Sequence, residues 1–211
     1  MTTKFIATES TAPTRRVWSL SVLAAAIGVL ALSGCSPEAI SFKSTDVTGA
    51  DFAKNLRLTD HFGQVRTMAD FKGKVLVVFF GFTQCPDVCP TSMTTMAEVK
   101  RLFGEKGNLP QGVFITVDPE RDTQQVLQGY MQNFDPTYLA LRPEPDELKA
   151  VADDFKIYFK KVEGRTQTSY SMDHSAGKYI FDTMGRVRLF SQYGAEAAVI
   201  AGDIQTLLKS R

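Results

Sequence analysis

The sequence predicts an α/β fold: a central mixed sheet flanked by helices, with an inserted β-hairpin. Three observations lead to it. Val75 to Phe80 is an unbroken apolar run of strand length, the pattern of a strand covered on both faces. A second such run, Val113 to Val117, follows a stretch in which Met93, Met96, Val99 and Phe103 recur at helical spacing. Strand, helix, strand is a βαβ unit, whose crossover favours parallel pairing, and the chain then continues through helices to a ββα ending.

Each element has its own signal. Leu56-Arg57-Leu58 and Val65-Arg66-Thr67 flank Asp60-His61-Phe62-Gly63, the pattern of a small hairpin. After the first core strand, Gly81 to Pro90 forms a loop, and Pro90 suits the first position of the helix that runs to Phe103. Asp118-Pro119-Glu120-Arg121 turns the chain after the second strand, and Asp122 with Gln125 has the form of a capping box for a helix ending near Phe134. Thr137 to Leu141 is a short strand, and Pro145-Asp146-Glu147 opens a helix carrying Leu148, Val151 and Phe155. Ile157 to Val162 and Thr166 to Tyr170 form a hairpin about Glu163-Gly164-Arg165; Lys178 to Phe181 and Val187 to Phe190 form another. Ile200, Ile204, Leu207 and Leu208 mark one face of a terminal helix. This order is that of a thioredoxin-like domain with an additional hairpin.

The chain has 211 residues with 24 Lys+Arg against 23 Asp+Glu, a net charge of +1, so no basic footprint for nucleic acid is visible. With 44% hydrophobic residues and no repeat or low-complexity tract, it reads as globular. The N-terminus stands apart. Lys4, Arg15 and Arg16 precede an apolar run from Val17 to Leu32 that is shorter than the roughly 20 residues of a membrane span. Leu32-Ser33-Gly34-Cys35 then matches the lipobox of bacterial lipoproteins. Residues 1–34 are therefore expected to be a lipoprotein-type signal peptide, with cleavage before Cys35 and lipidation of its thiol; an uncleaved anchor is the alternative. Both place the rest outside the cytoplasmic membrane, on the bacterial periplasmic side. Residues 35–53 have the composition of a flexible tether, and the domain is expected over 54–211.

Of the three cysteines, lipidation of Cys35 would leave only Cys85 and Cys89. Three residues separate them, at the carboxyl end of the first core strand, where open α/β sheets place their chemistry. One helical turn brings both sulfurs to one face, and a helix N-terminus beside Cys89 would favour its thiolate. A redox dithiol, a metal site, a permanent disulfide and two buried core cysteines all remain open on these residues. A structural zinc site would need a fourth ligand at short spacing, and none is present.

The chain holds two histidines. His61 falls at a hairpin tip and reads as a solvated turn residue. His174 lies in Tyr170-Ser171-Met172-Asp173-His174-Ser175, expected as a loop before the strand at Lys178, beside the dithiol. Two thiolates and an imidazole form a soft set acceptable to Cu(I) and Cu(II).

Gly81-Phe82-Thr83-Gln84-Cys85-Pro86-Asp87-Val88-Cys89-Pro90, Val117-Asp118-Pro119-Glu120-Arg121-Asp122-Thr123 and Tyr170 to Ser175, in that order, resemble the three signatures of the Sco/SenC family, thioredoxin-like copper-binding factors of cytochrome c oxidase assembly. The resemblance spans roughly Asn55 to Leu208. It implies that Cys85, Cys89 and His174 ligate copper, Cu(I) or Cu(II), and that Asp118 lies near the site without bonding the metal. Met172 stands where the family usually has a β-branched residue. The implied function is that of a metallochaperone delivering copper to the CuA-bearing subunit of cytochrome c oxidase, with other copper chaperones or thiol-disulfide reductases as further partners and a membrane tether at the N-terminus. The alternative is a thiol-disulfide oxidoreductase in which Cys85 attacks, Cys89 resolves, and the acceptor's cysteines are kept reduced. A thiol peroxidase fits less well, because peroxiredoxins generally carry Thr three residues before the reactive Cys and Thr83 is two before Cys85.

Overall fold

The structure, a computed structural model, describes residues 40–107, 109–164, 166 and 169–210. The expected signal peptide and the lipidation site at Cys35 lie outside the described residues. In chain order the elements are β1 (Thr45–Asp46), β2 (Arg57–Asp60), β3 (Val65–Thr67), β4 (Val75–Gly81), α1 (Val88–Leu102), β5 (Pro110–Thr116), α2 (Gln124–Met131), β6 (Leu139–Arg142), α3 (Leu148–Phe155), β7 (Phe159–Glu163), β8 (Tyr170–His174), β9 (Lys178–Phe181), β10 (Val187–Ser191) and α4 (Ala197–Lys209).

Eight strands form one mixed sheet in the order β1-β10-β9-β4-β5-β6-β2-β3. The parallel trio β4, β5 and β6 lies at its centre, as the βαβ reading expects, and antiparallel strands complete both sides. Every residue of β4 and of β5 is buried, which explains their continuous apolarity. On one face α1 packs against α4; on the other, Phe155 of α3 meets Phe80 edge to face, with ring centroids 5.2 Å apart. Strands β7 and β8 pair apart from this sheet as the inserted hairpin.

Four expectations are corrected. The domain begins before residue 54. Thr45 and Asp46 pair with Phe190 and Leu189, the Asp203 carboxylate accepts the N–H groups of Lys43 and Ser44 at 2.8 and 2.7 Å, and Ala53 is 1% exposed. Main-chain pairing and one buried carboxylate hold a segment whose composition offers few apolar anchors. Helix α1 starts at Val88, so Pro90 is its third residue, still within the turn whose N–H groups lack intrahelical partners. Helix α2 is capped by Thr123, whose side chain accepts the Val126 N–H at 3.3 Å, and Asp122 points inward instead. His174 is the last residue of β8, paired with Phe159, because the second strand of this hairpin runs Tyr170–His174 and not Thr166 to Tyr170 as expected.

Candidate metal centre

The loop that carries the cysteines is anchored from beneath. Thr83 donates to Asp122 from both its N–H (3.1 Å) and its hydroxyl (2.6 Å), while Thr116 at the end of β5 donates to the same carboxylate at 2.6 Å. Asp122 is fully buried; burial pushes its carboxyl up, and the three donors oppose that shift only in part. Its role as an internal anchor was not legible from the sequence, where Asp before a helix has a simpler reading as a cap. A turn follows, with the Cys85 N–H donating to the Phe82 carbonyl at 3.2 Å, and α1 then begins.

The first turn of α1 brings the two sulfurs together. The Cys89 N–H donates to Cys85 Sγ at 3.4 Å, using a donor that the helix start leaves free. Both thiols are free; Cys85 is half-buried and Cys89 fully buried. Burial, then hydrogen bonding with Cys85, pushes the Cys89 thiol far up, overriding the helix terminus that was expected to favour its thiolate. Gly81 makes room for this thiol, since a Cβ there would lie 2.8 Å from Cys89 Sγ and 2.8 Å from the Phe114 ring.

Strand β8 delivers the third donor across 85 residues of sequence: His174 Nε2 lies 3.6 Å from Cys89 Sγ. The ring's other nitrogen, Nδ1, is 2.9 Å from the Ser175 carbonyl oxygen. A carbonyl only accepts, so Nδ1 carries the proton and Nε2 turns its lone pair toward the sulfurs. Burial holds the imidazole below its ordinary pKa against the pull of that carbonyl, keeping it neutral and ligand-competent. Phe79 and Phe82 hold the ring edge to face, with centroids 6.1 and 5.9 Å away. Cys85, Cys89 and His174 thus place their donor atoms within 4.8 Å of one another.

Asp118 is nearly fully buried and accepts from the Tyr170 hydroxyl at 2.8 Å and from Arg121 Nε. These bonds tie Asp118 to Tyr170 of β8. Arg121, which the sequence did not single out, links the parts: its Nη1 donates to Gln84 Oε1 at 3.1 Å and to the Tyr170 carbonyl at 2.9 Å, and its guanidinium lies 3.5 Å from the Tyr170 ring centroid. One side chain ties the cysteine loop to the histidine strand. Tyr130 was also missed; its buried hydroxyl has no hydrogen-bond partner among the described residues, and burial, followed by the charges of Cys89, Cys85 and Asp122, raises its pKa. His61 is not a solvated turn residue. It is buried, and its Nδ1 accepts the Ala140 N–H at 3.0 Å, which binds the β2–β3 turn to the sheet.

The family model described as SCO1/SenC matches residues 44–209. The chain belongs to this family. Among relatives, the SCO2-like protein of Rickettsia felis is 36% identical over 139 residues, which cover 65% of this chain and 66% of that one. The matches to such relatives span between about half and just under two thirds of their length. Among solved structures, ScoI of Bradyrhizobium japonicum with copper bound is 36% identical with a TM-score of 0.68, covering 74% of this chain and 98% of that one. Yeast Sco1 with copper bound is 27% identical with a TM-score of 0.70, covering 77% and 91%. Two thiols and an oriented imidazole suit a soft or borderline metal ion, and this SCO1/SenC domain gathers them within 4.8 Å of one another.

Proposed function

We propose that this SCO1/SenC protein carries copper, held by Cys85, Cys89 and His174, to the CuA site of cytochrome c oxidase during its assembly. The convergence of the three donors within 4.8 Å carries the reading. Copper is the cargo, so the site must both hold it and release it. Cys89 lies in the interior, whereas Cys85 and His174 are only half-buried, so an acceptor's ligands can approach from their side and replace them one at a time. Loading requires both thiols to give up their protons, and Nε2 is already free to bond. Oxidation to a Cys85–Cys89 disulfide would remove two of the three ligands and couple loading to redox state.

Copper stoichiometry and the absorption of the reduced full-length chain test this, with each ligand replaced in turn. The parent is expected to bind one copper ion, the Cys85→Ser and Cys89→Ser variants to lose stoichiometric binding, and His174→Ala to weaken it by at least about tenfold. Unchanged affinity in His174→Ala would overturn the three-ligand site.

A second reading, a thiol-disulfide reductase serving the same acceptor, is favoured by the asymmetry of the pair. Cys85 is the more exposed and its sulfur accepts the Cys89 N–H, as an attacking thiol would require, and the buried Cys89 is placed to resolve the mixed disulfide. In that reading His174→Ala exchanges disulfides at the parent's rate. For location, the lipobox at Cys35 supports tethering by lipid on the outer side of the bacterial cytoplasmic membrane; among the described residues no helix is long and apolar enough to cross a membrane. Labelling with a radioactive fatty acid, abolished by Cys35→Ala, is the expected result.

A further inference from the structure

Lys178 opens β9, is 1% exposed, and ranks among the largest fully buried side chains of the domain. Among the described residues its Nζ has one hydrogen bond, to Ser92 Oγ at 3.5 Å, the outer limit for such a contact. Among the described residues it forms no ion pair. The groups around it are Ser92 of α1, the Phe79 ring of β4, whose centroid is 5.6 Å from Nζ, and Ser191 of β10, its cross-strand partner, whose own buried hydroxyl has no partner. None of these carries a negative charge. An interior ammonium is costly unless an opposite charge meets it.

The dithiol, where negative charge can arise, lies on the same face of the sheet. Lys178 and Phe79 are cross-strand partners, so their side chains share the sheet face that Gly81 and Cys89 also occupy. The Phe79 ring centroid lies 5.6 Å from the ammonium and 6.1 Å from the centroid of the His174 ring. Ser92 stands one turn beyond Cys89 on α1.

We propose that Lys178 is a built-in counter-charge for the metal-bound thiolate pair and makes the site prefer monovalent over divalent copper. The inference rests on the copper reading above. Two thiolates and a neutral imidazole leave a net charge of −1 around Cu(I) and zero around Cu(II), so an ammonium beside the same Phe79 ring as His174 attracts the first complex and is nearly indifferent to the second. Without the metal, no ion pair meets this ammonium among the described residues. Burial lowers the Lys178 pKa to about 8, so the amine keeps its proton below that pH.

The test measures Cu(I) and Cu(II) affinities of the reduced full-length protein at mildly acidic pH, by competition with a chromophoric chelator for each ion, in the parent and in Lys178→Met and Lys178→Gln. Both variants are expected to lose about tenfold in Cu(I) affinity while Cu(II) affinity stays within about twofold. The metal-free Lys178→Met protein should also melt at a higher temperature than the parent, because an unpaired interior charge has been removed. An unchanged Cu(I)-to-Cu(II) preference in both variants, or an equal fall for both ions, would overturn the role of Lys178 and leave the copper site standing. A parent that binds neither ion would overturn the copper reading itself, and this inference with it.

Discussion

Gly81 has no side chain, and the centre depends on that. An added methyl would lie 2.8 Å from Cys89 Sγ, 2.8 Å from Phe114 and 2.9 Å from Phe79, and the aromatic neighbours are themselves fully buried. Gly81→Ala is expected to cost about 1–3 kcal/mol in chemical denaturation and to displace the Cys89 sulfur, seen as weakened metal binding in the same protein. His174 shows the same economy at its ring: the Ser175 carbonyl fixes the proton on Nδ1 and frees Nε2. Neither requirement is visible in composition, since each is a matter of a few tenths of an ångström.

Two elements meet at the site, and Arg121 joins them. Helix α1 supplies Cys89 at its first turn, and the β7–β8 hairpin supplies His174 at its end. Because the hairpin pairs apart from the main sheet, its position relies on contacts such as Arg121 to the Tyr170 carbonyl and Tyr170 to Asp118. Arg121→Lys keeps the charge and loses the planar fork that serves Asp118, Gln84 and Tyr170 together. It is expected to lower metal affinity several-fold while shifting the unfolding free energy by only about 1 kcal/mol, as measured by metal titration beside urea denaturation. Asp122 anchors the other element. Asp122→Ala leaves the Thr83 and Thr116 donors unpaired in the interior and is expected to destabilise the domain by about 2–4 kcal/mol in the same urea measurement.

At the scale of the whole molecule, buried carboxylates set the response to acid. Asp60, Asp135 and Asp182 are each pushed up by burial, yet backbone N–H groups, hydroxyls and neighbouring Arg or Lys side chains hold them below the ordinary value of 3.8. A carboxyl with a lowered folded pKa contributes stability that is complete above its unfolded pKa and is lost as pH falls through the folded one. Asp122, with its raised pKa, has the opposite sign and takes up its proton first. Urea midpoints of the metal-free protein are therefore expected to fall as pH drops below about 4, and Asp182→Asn should flatten that slope.

By itself the sequence determined the family signatures, the candidate donor residues and the order of the elements. An apolar run such as Val75 to Phe80 has one stable use, a covered strand, and Cys85 and Cys89 lie close because one helical turn spans their separation. Tertiary structure alone decided what depends on distant segments meeting: that Asp122 anchors a loop rather than capping a helix, that His61 is interior, that residues before 54 join the sheet, and that burial pushes the Cys89 thiol up. Local propensity and periodicity act over a few residues. Hydrogen-bond partners and desolvation are set by neighbours that may be a hundred residues away, so they are fixed only when the chain closes on itself.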